Sequence, residues 1–146
     1  MSIKNNDVEK LVNRRNKCKT VFMKRFLSRM IRFLGVDIHW KSIIGDNVRF
    51  CHNALGTVIS PYTVLEDDVM IYSNVTVGRQ DFSSTETIEI RIGRGAVLCT
   101  GCRILAKGKL VVGKNTIIAA NAVLLQSTGD DEIWGGIPAK CIGYRN

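Results

Sequence analysis

ISPYTVLEDDVMIYSNVTV, residues 59–77, decides the fold. Ile59, Leu65, Ile71 and Val77 stand six residues apart, and the slim side chains Thr63, Val69 and Val75 follow four places after the first three. The beat returns at Ile92, Leu98 and Ile104, and again at Val112, Ile118 and Leu124, with Ala96, Cys102, Gly108, Thr116 and Ala122 at the slim positions. A period of six matches neither an amphipathic helix nor simple strand alternation. It matches an all-β solenoid of short flat strands in which each coil stacks its apolar residue on the next. Gly45, Glu66, Gly78, Gly93 and Gly113 come directly after beat residues, where corners call for turn-forming or solvated residues.

The interruptions are as informative as the beat. Ile38, Ile44 and Phe50 begin it, and it slips by three at Gly56–Val58. Residues 79–91 carry no repeat and hold Asp81, Ser83, Ser84, Thr85 and Glu86, which predicts an extruded loop of the kind that often carries function. A two-residue surplus sits near Lys107–Val111. Without these excursions, residues 36–126 leave about 76 positions, or about four coils of roughly 18 residues. The organisation expected is therefore a leading segment 1–35, a solenoid 36–126 and a C-terminal tail 127–146.

The leading segment reads as helix. Asn6 or Asp7 stands where an N-cap belongs, Glu9 falls in the first turn, and an apolar stripe runs from Val21 through Phe22, Phe26, Met30 and Phe33 to a stop at Gly35. Residues 1–35 hold ten of the 21 Lys and Arg against Asp7 and Glu9, a balance of +8; residues 36–146 hold eleven of each sign. The basic character belongs to this helix, so the overall charge is no argument for nucleic acid. Two readings of residues 8–34 stand side by side: a basic amphipathic helix on an anionic membrane surface, or a helix whose stripe packs on the solenoid or a neighbouring subunit.

At 146 residues the chain has the length of one domain. Its five cysteines are odd in number and lack disulfide-scaffold spacing, the pattern of a reducing, cytoplasmic setting. No apolar run approaches the roughly 18 residues of a membrane span.

Val36-Asp-Ile-His39, Cys51-His52-Asn53 followed by Gly56, Val75-Thr-Val-Gly78 and Gly136-Ile-Pro-Ala-Lys140, set on the six-residue beat, resemble the hexapeptide-repeat acyltransferases. Within them the likeness is to the serine acetyltransferases and to the O-acetyltransferases of capsule and exopolysaccharide synthesis, across about residues 36–145. The resemblance implies a left-handed parallel β-helix, a homotrimer, and acetyl-CoA as cosubstrate in a groove between subunits. That handedness runs against the usual crossover rule, so periodicity does not supply it.

Acetyl transfer to an alcohol requires a base near neutral pH, and the chain has two histidines. The resemblance puts His52 in the catalytic position and Asp37 as the carboxylate that orients it; His39 falls where the family carries a non-catalytic histidine. It further implies a backbone amide near Gly78–Arg79 at the thioester, although the family usually has a second glycine where Arg79 stands. Pantetheine is expected near Thr100 and Ala120, with Lys140 at the CoA phosphates. Cys51 beside His52 raises an acyl-cysteine route, but the family pattern favours direct attack by the acceptor. Cys99 and Cys102 form C-x-x-C without further ligands at zinc spacing, so no metal is expected, and Cys102 reads as a small inward residue.

Cys51, Asn53 and Glu89 are assigned to the acceptor. Serine acetyltransferases carry aspartate where Cys51 stands, a second active-site histidine near Glu89, and a long helical N-terminal domain. These departures point to a sugar hydroxyl in surface-polysaccharide synthesis at the cytoplasmic membrane face, with serine as the alternative acceptor. A non-catalytic β-helix of structural or assembly role is the reading from another class.

Overall fold

The computed structural model describes residues 6–83 and 85–146; Ser84, within the expected loop, and residues 1–5 of the leading segment lie outside it. Two helices come first where the sequence suggested one helical segment. Helix α1 (Asp7–Lys17) starts at Asn6, whose side chain accepts from the Glu9 amide at 2.9 Å while Glu9 Oε2 accepts from the Asn6 amide at 3.1 Å. This reciprocal capping box fixes the start of the helix. Helix α2 (Val21–Phe33) starts at Thr20, whose hydroxyl accepts from the Met23 amide, and stops before Gly35, which has a φ of +86°.

The solenoid follows. Its coils are β1 (Asp37–Ile38), β2 (Ile43–Ile44), β3 (Arg49–Phe50); β4 (Val58–Ile59), β5 (Thr63–Leu65), β6 (Met70–Ile71); β7 (Thr76–Arg79), β8 (Glu89–Ile92), β9 (Val97–Leu98); and β10 (Arg103–Ala106), β11 (Lys109–Val112), β12 (Ile117–Ile118). A fifth, partial coil has β13 (Val123–Leu124) and β14 (Glu132–Gly136), and β15 (Ala139–Tyr144) turns back on β14. Three parallel sheets form the faces of this left-handed β-helix. The first stacks β1-β4-β7-β10-β13, the second β2-β5-β8-β11, and the third β3-β6-β9-β12-β14 with β15 added antiparallel. Residues 127–146 thus hold two strands, the first of which extends the third face.

The beat residues from Ile59 to Leu124 are all at most 1% exposed and form one column of core. Each buried aliphatic side chain contributes about 1.5–3 kcal/mol relative to exposure. The slim positions are buried with them, except Gly108, which is partly exposed beside β11. Among them is Cys102, whose thiol burial pushes up to about 12. The corners run through the left-handed region at Asn47, Asp68, Asn74, Asn115, Asn121 and Asp131, with Gly95 and Gly101 at matching points. Asn and Asp tolerate that conformation better than other side chains, so they recur there.

The open first coil would leave its core exposed to water. The helices close it: Val8 and Val12 of α1, and Ile31 of α2, are buried in the same core cluster as Phe50 and Ile38. Arg15, itself buried, donates from Nη2 to the carbonyls of His39, Trp40 and Ser42 and ties α1 to the first corner. The far end is closed by the β14–β15 hairpin, with Trp134 and Ala139 buried.

The expected loop is shorter than residues 79–91. Arg79 ends β7 and Glu89 and Arg91 belong to β8, so of the described residues 80–83 and 85–88 lie in the excursion. The three-residue slip expected at Gly56–Val58 is taken up earlier, in the turn Cys51–Ala54 between β3 and β4.

Candidate active site

One edge of the prism, where the third face turns into the first, carries most of the expected site. Its stacked corners are Cys51–Ala54, then Tyr72–Asn74, Cys99–Gly101 and Ala119–Asn121. The Gly101 amide donates to the Ser73 carbonyl at 3.0 Å, and the Asn121 amide to the Thr100 carbonyl at 2.9 Å. Thr100 and Ala120 are therefore stacked one coil apart, both exposed. His52 is exposed at the base of the same edge.

His52 sits in an unusual backbone. His52, Asn53 and Ala54 have φ of 54°, 59° and 47°, three successive left-handed residues without a glycine among them. Such geometry costs of order 1–3 kcal/mol per residue and persists only where neighbours hold it. Here α1 does so. Glu9 Oε1 accepts from the Phe50 amide at 3.0 Å and from Arg49 Nε at 2.8 Å, while Asn6 Nδ2 donates to the Phe50 carbonyl at 2.6 Å. Gly56, with a φ of +76°, completes the turn under the side chain of Asn74, where a Cβ would collide. Asn53 Oδ1 is buried with no protein partner.

Asp37 lies around the corner at the start of the first face, its amide bound to the Thr57 carbonyl at 2.9 Å. The structure does not join it to His52. Asp37 Oδ1 accepts from Arg32 Nε at 3.1 Å and Nη2 at 2.7 Å, and no hydrogen bond is made between His52 and Asp37 among the described residues. His39 is structural: its Nδ1 accepts from the Lys41 amide, its ring stacks on Trp40, and burial followed by Lys41 lowers its pKa.

Cys51 is half-buried, and burial raises its thiol against the pull of Arg49 and of a bond with Tyr72. The thiol is thus held in the protonated form, which suits a wall of the site better than a nucleophile. Cys99 lies two coils above on the same edge, also raised by burial.

The remaining expected residues lie elsewhere. Gly78 is buried in β7 opposite Leu105, and Arg79 follows with its guanidinium 5.6 Å from the Tyr62 ring and Nη2 donating to the Glu86 carbonyl. Glu89 is exposed on the second face, opposite Lys109. The loop and Glu89 thus belong to a different edge of the same chain from His52. Lys140 is exposed on β15, opposite Gly135.

Sequence reading missed the clamp made by Asn6, Glu9 and Arg49, and the contact of Arg32 with Asp37. The capping-box spacing of Asn6 and Glu9 was visible, but its use by a strand some forty residues away was not.

No family model matches the chain. The serine acetyltransferase of Helicobacter pylori strain J99 is 32% identical over 134 residues, covering 91% of this chain and 76% of that protein. The serine acetyltransferase of Salmonella typhimurium is 31% identical over 133 residues, 91% of this chain and 46% of that protein. The chain spans only 39–46% of the length of three of its curated relatives, the Salmonella protein among them. Among solved structures, Brucella abortus serine acetyltransferase in complex with coenzyme A superposes with a TM-score of 0.72 at 30% identity, over 86% of this chain and 47% of that one. The solenoid, its edge and these relatives together make the chain a member of the serine acetyltransferase family of hexapeptide-repeat proteins.

Proposed function

We propose that this chain is an acetyl-CoA-dependent O-acetyltransferase with His52 as general base. The observation that carries the reading is that His52, Ser73, Thr100 and Ala120 stand at successive corners of one solenoid edge. That edge offers a base at the foot of a track of stacked corners, exposed at Thr100 and Ala120. The coenzyme A complex of a 30%-identical relative supports the donor.

The acceptor hydroxyl gives its proton to His52 as its oxygen attacks the thioester carbonyl. The tetrahedral oxyanion that forms needs a preorganised donor, and the proposed source is the backbone near Gly78–Arg79, at the loop end of β7, supplied by a neighbouring chain. Collapse expels the coenzyme thiolate, which recovers the proton from the imidazolium. Asp37 is the partner that orients the ring and stabilises its charged form. Its ion pair with Arg32 is half-exposed and of the kind worth about 0–1 kcal/mol. Oδ2, which makes no hydrogen bond among the described residues, is free to serve the imidazole.

Separation of Glu89 and the 80–88 loop from the His52 edge supports a site shared between subunits. In a homotrimer, one chain's loop edge meets another's base edge. Lys140, exposed beyond the last coil, is the proposed contact for coenzyme phosphate.

Serine is the acceptor that the relatives favour over a polysaccharide sugar. The sugar reading retains one specific support: Cys51 and Glu89 stand where the family uses an aspartate and a histidine. Thiol release from acetyl-CoA, measured with serine and with a panel of sugars, tests both. His52→Asn, whose side chain tolerates the left-handed backbone, is expected to lower kcat by about 10²–10⁴. Unchanged turnover in that variant overturns the mechanism. Turnover with sugars but not serine moves the acceptor back to the sequence-based reading, and no coenzyme binding by calorimetry favours a structural module.

A further inference from the structure

Helix α2 has two apolar faces, and the solenoid covers only one. Leu27 and Ile31 point into the core. Phe22, Phe26, Met30 and Phe33 recur at helical spacing on the outer side, where Phe22 is 78% and Phe33 95% exposed. Phe26, Met30 and Phe33 line an open groove of about 440 Å³ together with Leu11 and Leu34. A soluble helix that already buries one stripe has no folding reason to carry a second aromatic one.

Beside that stripe runs another, of Arg25, Arg29 and Arg32. Helix α2 contains no acidic residue, and Lys19 and Lys24 add to its charge. Among the described residues no carboxylate lies within ion-pair distance of Lys19, Lys24, Arg25 or Arg29; only Arg32 is paired, with Asp37. A second copy docked face to face through the same helix would oppose cation to cation, with no acid on the helix to offset the repulsion. An anionic bilayer surface answers both stripes: aromatic rings enter the headgroup boundary while Lys19 and Arg29 meet lipid phosphates. Arg25 lies over the Trp40 ring at 4.7 Å, and Arg32 pairs with Asp37. The helix, about 20 Å long at 1.5 Å per residue, would lie in the interface. No helix among the described residues is long and apolar enough to cross a membrane.

We infer that α2 is a docking surface for an anionic lipid bilayer, holding the chain peripherally by Phe22, Phe26 and Phe33 and by the adjoining cations. The inference stands apart from the acetyltransferase reading and does not need it. Sedimentation of the full chain with phosphatidylcholine vesicles, with or without phosphatidylglycerol, tests it at low and high salt. Binding is expected to the phosphatidylglycerol vesicles only, weakened by salt. Phe22→Ser with Phe33→Ser, and separately Lys19→Glu with Arg29→Glu, are each expected to weaken it at least about tenfold; circular dichroism verifies that each variant is folded. Absence of binding by the parent, equal binding to neutral vesicles, or undiminished binding by both folded variants overturns the inference. A change of molar mass in the Phe variant, with no vesicle binding by the parent, assigns the face to a second copy instead.

Discussion

Glu9 carries more of this molecule than a capping residue usually does. One carboxylate oxygen closes the capping box with Asn6, and the other holds Arg49 and the Phe50 amide, with the side chain 2% exposed. Removing the charge of a buried pair leaves its partner's donors poorly met. Glu9→Gln is expected to cost on the order of 2–4 kcal/mol in urea unfolding. If the clamp holds the left-handed turn at His52, hydrogen exchange at Phe50 and in Cys51–Ala54 should rise more than in β9 or β12. Uniform loosening of all coils would assign Glu9 a role in general stability alone. Cys51 shows the same dependence on surroundings. Its type suggested chemistry, but burial raises the thiol and makes it a poor nucleophile.

At the scale of elements, the corner between the second and third faces is an electrostatic ladder. Glu66 accepts from Arg91 Nη1 and from the Arg94 amide, both at 2.9 Å, and Asp67 accepts from the Asp46 amide and from Arg94. The bond to Arg91 holds the Glu66 carboxyl below its ordinary 4.5, opposed in part by burial. A carboxyl lowered by folding binds fewer protons in the folded chain than in the unfolded one. Its contribution is therefore full above about 4.5 and is lost as the pH falls through the lowered value. Urea titrations of the parent and Glu66→Gln should differ most near neutral pH and converge in acid. A difference that grows as the pH falls would refute this assignment. The sequence marked Glu66 only as a corner residue, because its partner Arg91 is one coil and one loop away.

For the whole molecule, the separation of edges has a measurable consequence. His52 lies where the third face turns into the first, and Glu89 at the start of the second face, so the proposed site draws on neighbouring subunits. Sedimentation equilibrium is expected to give about three times the 16.3 kDa chain. A monomer with full turnover would show that the loop takes no part. The ends of the solenoid explain the two terminal segments. A stack of coils leaves raw apolar surface at each end, which α1 and α2 cover at the first coil and the β14–β15 hairpin covers at the last.

The six-residue beat by itself determined the solenoid, its core column and the positions of its corners, because stacking repeats the same local demand in every coil. It also signalled the slip after Phe50 and the break after Val77 to within a few residues, since a surplus of residues breaks the count of six. The sequence did not reveal how those interruptions are used. Only the tertiary structure put the three extra residues into the strained turn of His52, clamped that turn with Glu9 of α1, and bound Asp37 to Arg32 rather than to the histidine. It also divided the apolar residues of α2 into a buried stripe and an exposed one. Periodicity reports what each residue shares with its neighbours in the repeat. Long-range ion pairs, left-handed turns and the choice of buried face depend on what lies across the coil, and one chain read in order does not contain that distance.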